Sequence, residues 1–386
     1  MRKWIAAGLA ALTVLVLASC SGQEDLKNLV EHKSGEEQVV NLFSPMEKTE
    51  PNTENVARTA ADLTVAMAEE KLGLTVAYRT YTAEDYQDKT YDDVALDRAR
   101  NDMDDLYLLN PDTILALGRE GKLADLSGLD SAQNLREIIR IANTVDGKLV
   151  AIPQEVVAYG LFVNVDLFRK YALALPNTPE EFLECCRVFQ ENGIETPIGA
   201  NRWWLETFVF ALAYADLYNG GNTEAEIAAL NSGEARYSDY MRPGFAFLQT
   251  LIDRGYVDAE KALVSEAIEG EGEDFLAGKT PIVMAYWGAA NSETAYARTD
   301  SEMQVIGFPS SRGQMPVMPM TGWGVGAHAE HLEDALEVLD TITSDEALQL
   351  YSETNRVISP SRNVHVECVP ALKPLNERIE EGVYVL

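Results

Sequence analysis

The segment VVNLFSPMEKTEPNTENVARTAADLTVAMAEEKLGLTVAY, residues 39–78, decides the fold class. The apolar run Val39 to Phe43 predicts a buried strand, and Val56, Ala60, Leu63 and Met67 then recur at helical spacing until Gly73 stops the helix. Leu74 to Tyr78 returns to strand character. Strand, helix and strand in so short a stretch form a crossover unit, because parallel neighbours need a long connection and a helix usually supplies it. A chain that opens this way is an α/β protein whose parallel-rich sheets carry helices on both faces.

Outward from this unit, Asp105 to Leu109 predicts another strand and Thr113 to Glu120 a short helix closed by Gly121. A second set begins near residue 125, with strands over Lys148 to Ile152 and Tyr159 to Asn164. In Thr178-Pro179-Glu180-Glu181 the threonine can cap, the proline fits the first helical position and Glu181 reaches back, so a helix starts there and Asn192-Gly193 ends it. Helical patterns cover 205–218 and 243–254, and strand patterns Pro281 to Tyr286 and Gln304 to Phe308. Ala335, Val338, Leu339 and Ile342 mark a late helix. The 386 residues suffice for two or three compact units with real cores.

Hydrophobic residues make up 46% and charged residues 24% of the chain, which argues against a disordered, collagen-like or polytopic membrane protein. The formal charge of −31 would repel nucleic acid phosphates, so nucleic-acid binding is excluded. At the start, Arg2 and Lys3 precede an uncharged stretch, Trp4 to Ser19, too short to span a bilayer comfortably. Leu17-Ala18-Ser19-Cys20 is similar to the bacterial lipoprotein cleavage box, which predicts a signal peptide over 1–19 and a lipidated Cys20 at the mature N-terminus. Residues 20–37 then form a solvated tether. The other thiols, Cys185, Cys186 and Cys368, are odd in number, so no disulfide framework is written here, and Cys185 and Cys186 read as small core hydrophobes.

The inventory of catalytic motifs is short. His328 and His331 lack a third ligand at fixed spacing, and the acidic run Glu266 to Asp274 lacks the alternating spacing of a calcium loop, so no metal site and no cofactor are expected. No Gly-x-Ser-x-Gly elbow or Walker loop occurs. Gly322-Trp323-Gly324-Val325-Gly326-Ala327 matches the loose dinucleotide pattern, but Pro316 and Pro319 interrupt the strand that should precede it. Trp203, Trp204, Trp287 and Trp323 all sit at predicted element ends rather than in an apolar helical stripe, a placement that suits a cleft wall with one ring face open. A flat ring covers the C–H face of a pyranose while carboxylates and amides bond its hydroxyls.

Four stretches resemble, in their order and spacing, the extracellular solute-binding proteins of ABC importers, and within them the sugar-binding group that includes maltodextrin receptors. They are DLYLLNPDTILALGREGKLADL (105–126), DGKLVAIPQEVVAYGLFVNVDLF (146–168), FLAGKTPIVMAYW (275–287) and TSDEALQLYSETNRVISPS (343–361). The resemblance implies a two-lobe, periplasmic-binding-protein-like fold of type II joined by several strands. It places one lobe at 38–123 plus 288–318, the other at 127–282 plus 326–386, and hinges near 124–126, 283–287 and 319–325. It also implies ligand contacts from Glu47, Lys48, Asp112, Trp203, Trp204 and Trp287, with Glu155 standing in for a carboxylate where Val157 departs from the family pattern; Asn201 and Trp323 complete the expected ligand set. The implied protein is a lipid-anchored monomer, not an enzyme, that takes a sugar from outside the membrane and hands it to ABC permease subunits. The rival readings are the same receptor with a polyamine, peptide or sugar acid as ligand, and a surface carbohydrate-active enzyme.

Overall fold

A computed structural model describes residues 38–46, 59–86, 89–156, 158–264, 269–286, 301–318, 321–367 and 370–385. The chain divides into residues 1–39 and 40–386, and every element below falls in the second apart from Val39, the first residue of β1. The strands are β1 (Val39–Ser44), β2 (Thr75–Thr80), β3 (Leu106–Leu109), β4 (Thr144–Val145), β5 (Lys148–Leu149), β6 (Tyr159–Asn164), β7 (Ile198–Gly199), β8 (Ile282–Tyr286), β9 (Met303–Ile306), β10 (Phe308–Ser310), β11 (Gly313–Met315) and β12 (Gly322–Val325). The helices are α1 (Ala60–Leu72), α2 (Ala83–Tyr86), α3 (Tyr91–Arg100), α4 (Pro111–Arg119), α5 (Glu137–Ala142), α6 (Val165–Lys170), α7 (Pro179–Glu191), α8 (Arg202–Asn219), α9 (Thr223–Ser232), α10 (Tyr237–Asp253), α11 (Ala259–Val264), α12 (Glu269–Leu276), α13 (Leu332–Ile342), α14 (Asp345–Asn355) and α15 (Lys373–Glu380).

The opening unit forms as its sequence dictates. Thr59 and Asp62 close a capping box at the start of α1, and Gly73, at φ 69°, ends it in the left-handed conformation that costs glycine least. The first sheet has the order β12-β3-β1-β2, with β1 parallel to β3 and β12 antiparallel to β3. The expected capping box at Thr178 and Glu181 is present, and Asn192 caps the other end of α7. The second sheet has the order β7-β8-β6-β9, with β6 antiparallel to both neighbours and β7 parallel to β8. The two-lobe, type II architecture is therefore the one the sequence implied.

The division of late segments between the lobes differs from that expectation. Residues 288–318 were expected beside the first sheet, but Leu161 of β6 pairs with Ile306 of β9, and Phe308 meets Phe208 of α8 edge-on. Helices α13 and α14, expected in the second lobe, lie instead on α1, where Lys71 pairs with Glu346 at 2.5 Å. Residues 127–151 also side with the first sheet: Val145, Val150 and Ala151 share a core with Phe43 and Tyr107. The stretch 124–126 is not a crossing, since Ala124 N–H donates to Val325 O at 2.9 Å and Leu126 N–H to Leu149 O at 2.7 Å, both on the first side. Val283, taken as the start of a hinge, is mid-strand and paired with Phe162. Partner choice between strands far apart in sequence is a long-range packing outcome, so chain order alone misassigned them.

Two antiparallel segments connect the sheets. Ile152 and Trp323 exchange backbone hydrogen bonds of 2.9 and 2.9 Å at one end, and Tyr159 and Val317 exchange bonds of 2.7 and 3.2 Å at the other. Between these bridges lie six residues on one segment, 153–158, and five on the other, 318–322. Ile358 beside Val156 adds a third strand of the connection, and Val385 lines up with Val317.

Candidate functional site

Strand register brings the functional ends together. Leu109 at the end of β3 lies opposite Gly322, where the 317–322 crossing enters β12. Tyr81, leaving β2, donates its N–H to Ser44 O at the end of β1 at 3.0 Å. On the second sheet, Tyr286 at the end of β8 lies opposite Tyr159, where the other crossing enters β6, and β7 runs parallel to β8 toward the same end. The carboxyl ends of β1, β2, β3, β7 and β8 therefore all meet the crossing strands. In open α/β sheets that is where ligands bind, because loops and helix N-termini converge there.

Asp112 follows β3 in the first turn of α4, exposed, with Pro111 ahead of it at the start of the helix. A carboxylate is electrostatically favoured there. Behind it Asn110 donates to Asp92 Oδ1 at 2.9 Å and Thr113 to the same oxygen at 3.2 Å, which fixes the turn. Asn201 is buried immediately before α8, and Trp203 and Trp204 occupy the first turn of that helix. Glu155 sits on the crossing itself, half-buried, and burial raises its carboxyl pKa while a hydrogen bond from Tyr351 works in the opposite direction. Glu47, Lys48, Trp287, Cys20 and Val157 lie outside the described residues.

Trp323 departs from the sequence reading. The open ring face expected of it is absent: the side chain is 2% exposed and belongs to the main core. Its Nε1–H donates to Gln154 Oε1 at 3.0 Å, and Gln154 Nε2 in turn donates to Thr64 Oγ1 at 2.7 Å and Ile342 O at 3.0 Å. The glycines around it serve the same packing. A side chain at 324 would meet Leu109, Leu123 and Val150 O, each at 3.2 Å, so β12 passes between its neighbours because those positions lack side chains. The dinucleotide-like pattern 322–327 is thus mostly strand, with no phosphate-cradling turn after a strand.

The sequence reading missed a group of tyrosines. Tyr81 and Tyr86 stack at 5.6 Å between centroids, Tyr81 meets Tyr91 edge-on at 5.7 Å, and Tyr91 stacks on Phe43 at 5.5 Å. Tyr81 donates its hydroxyl to Lys89 O at 2.7 Å and Tyr91 donates to Leu108 O, while Tyr86 accepts from Arg98 Nη1 at 3.3 Å. Arg98 also forks onto buried Asp104 with two bonds of 2.7 Å and lies 4.8 Å from the Phe43 ring centroid. Burial and the charges of Asp92 and Asp104 push the Tyr91 hydroxyl pKa up, so it stays a donor. The available signal was an aromatic every fifth residue directly after a predicted strand, a spacing that fits neither helix nor strand periodicity.

Among the described residues, no cluster of three His, Cys, Asp or Glu is placed to hold a metal ion, and no helix is long and apolar enough to cross a membrane.

Comparison with known proteins agrees with this architecture. The sequence pattern of the family described as "Bacterial extracellular solute-binding protein" matches residues 55–349. A family 1 extracellular solute-binding protein from Bifidobacterium longum subsp. infantis superimposes with a TM-score of 0.71 at 17% identity, covering 91% of this chain and 89% of that one. Apo RafE from Streptococcus pneumoniae gives 0.69 at 17% identity, with 92% and 89% covered. A sugar transporter from Bacillus licheniformis, solved in complex with stachyose, gives 0.62 at 17% identity, with 90% and 88% covered.

Proposed function

The chain belongs to the bacterial extracellular solute-binding proteins, and on that premise we propose that it captures a sugar or oligosaccharide between two closing lobes and delivers it to an ABC permease. The observation that carries the reading is the convergence of strand ends from both sheets on the paired crossings 152–159 and 317–323. Relatives of the same fold include RafE, solved in complex with raffinose, a chitin oligosaccharide binding protein and the stachyose-bound transporter. One lobe comprises 39–151 with 322–357, and the other 159–317 with 370–385. Glu47, Lys48 and Asp112 contact the ligand from the first lobe, Asn201, Trp203, Trp204 and Trp287 from the second, and Glu155 from the crossing. Trp323 is left out of this set because its ring is enclosed.

Function is equilibrium binding without bond chemistry. Contacts made by both lobes only when shut bias a pre-existing hinge equilibrium toward closure. Burial raises the Glu155 carboxyl pKa, so this residue is a poorer partner for an amine than an exposed carboxylate. The chain is tethered by a lipid on Cys20 after removal of residues 1–19. Titration with mono- and oligosaccharides while following tryptophan fluorescence tests the ligand class, and indifference to every sugar would end the sugar reading. Mass measurement of the mature N-terminus tests the anchor, for which an unmodified Cys20 is the negative result.

A further inference from the structure

We infer that Asp92 is a positioning residue for ligand binding: one oxygen of its carboxylate holds both Asn110 and Thr113, and thereby sets where the exposed Asp112 carboxylate stands after β3. The inference rests on the sugar reading above, in which Asp112 touches the ligand from the first lobe. It adds a residue that acts on the ligand only through another.

Asp92 stands at the second position of α3, where a carboxylate is favoured by the helix dipole. Its own helix does not need it as a cap, because Thr90 and Asp93 already form a capping box there. The side chain instead serves residues 18 and 21 positions away: Asn110 Nδ2 donates to its Oδ1 at 2.9 Å and Thr113 Oγ1 to the same atom at 3.2 Å. Pro111 and Asp112 lie between these two anchored side chains, and the proline ring fixes its own φ, so little freedom is left to the turn. Tyr91, next to Asp92, donates its hydroxyl to Leu108 O. The first turn of α3 thus grips the end of β3 and the start of α4 at three places.

Both partners forgo a local bond to make this contact. Asn110 is the N-cap of α4 with extended backbone, φ −83° and ψ 160°, from which an asparagine ordinarily accepts from an N–H in its own first turn, yet it makes no such bond. Thr113 is 1% exposed, and a helical threonine ordinarily places its hydroxyl on a carbonyl of the preceding turn. Those local bonds would serve the stability of α4 alone. The bridge to α3 serves orientation, and an ionised carboxylate accepts more strongly than a neutral oxygen would.

The test is calorimetric titration of the full chain with maltotriose, raffinose, stachyose and diacetylchitobiose, continued with whichever binds most tightly. Asp92→Ala should weaken that sugar roughly tenfold, the scale of one displaced hydrogen-bonded contact. Asp92→Asn keeps an oxygen at the accepting position and should hold affinity within about threefold of the unaltered protein. Asn110→Ser can cap α4 but is one bond shorter toward Asp92, so it should lose affinity while its thermal unfolding midpoint holds or rises. In an Asp112→Ala background, Asp92→Ala should cost nothing further in affinity, because its effect passes through the carboxylate already removed. Equal losses with and without Asp112, or unchanged affinity in Asp92→Ala, overturn the positioning role and leave the sugar reading intact. If none of the four sugars binds, the sugar reading fails, and hydrogen exchange at the amides of residues 112–116 in the ligand-free protein still judges the brace: protection unchanged by Asp92→Ala overturns it.

Discussion

Trp323 on β12 donates its indole N–H to the side-chain oxygen of Gln154 at 3.0 Å, joining the two crossing segments through a pair of residues 169 positions apart. Gln154 completes its set on Thr64 of α1 and the carbonyl of Ile342 at the end of α13. The network therefore ties β12, α1 and the end of α13 to the start of the 152–156 crossing segment. We expect Gln154→Leu to strand one buried donor on Trp323 and leave Thr64 and Ile342 without their bonds, at a cost of about 2–4 kcal/mol. Urea unfolding measures this; a loss under about 0.5 kcal/mol would show that the network is not structural.

Arg98 and Asp104 form a bidentate pair in which the Asp104 side chain is 1% exposed and that of Arg98 15%. Removing one partner leaves a buried charge uncompensated. Arg98→Ala should therefore destabilise by about 3–5 kcal/mol, more than its replacement by lysine, and should loosen Tyr86 and Phe43 as well. Equal unfolding midpoints for the two variants would contradict this account.

Gly244, next to Pro243 inside α10, packs where an added Cβ would sit 2.4 Å from the carbonyl oxygen of Val209 on α8. Alanine would gain up to about 1 kcal/mol of helix propensity. Separating two packed helices costs more, so Gly244→Ala is expected to lose about 1–3 kcal/mol net. A stabilised variant in thermal unfolding would count against the close approach.

The Glu155 carboxyl has a folded pKa raised by burial. For such a group the stabilising contribution is fully present below the unfolded pKa and is lost as pH rises through the folded one. Glu155→Gln removes that loss, so its stability relative to the unaltered protein should improve as pH rises from about 4.5. Parallel stability curves against pH for the two proteins would refute the shift.

Burial raises the thiol pKa of Cys185 to about 11, and that of Cys186 also lies well above the ordinary range. Little thiolate exists at neutral pH, and both side chains are enclosed on α7. Brief iodoacetamide treatment followed by peptide mapping should find neither modified in the native protein and both modified in urea. Fast native labelling at either position would place that thiol at the surface.

The sequence alone determined the elements whose signals are local. The capped helix at Thr178, the strand Tyr159 to Asn164, the stop at Gly73 and the apolar face of Ala335, Val338, Leu339 and Ile342 all follow from side chains within a turn or two of each other, and the structure has them in place. The fold class followed from their alternation. Tertiary structure alone decided which strands became neighbours, moving 303–306 to the second sheet and α13 and α14 to the first, because those pairings depend on surfaces far apart along the chain. It likewise decided the role of Trp323. An indole beside glycines reads as an open wall in one dimension, and it became core because those glycines let Leu109, Leu123, Ala151 and the 150–152 backbone pack closely against β12.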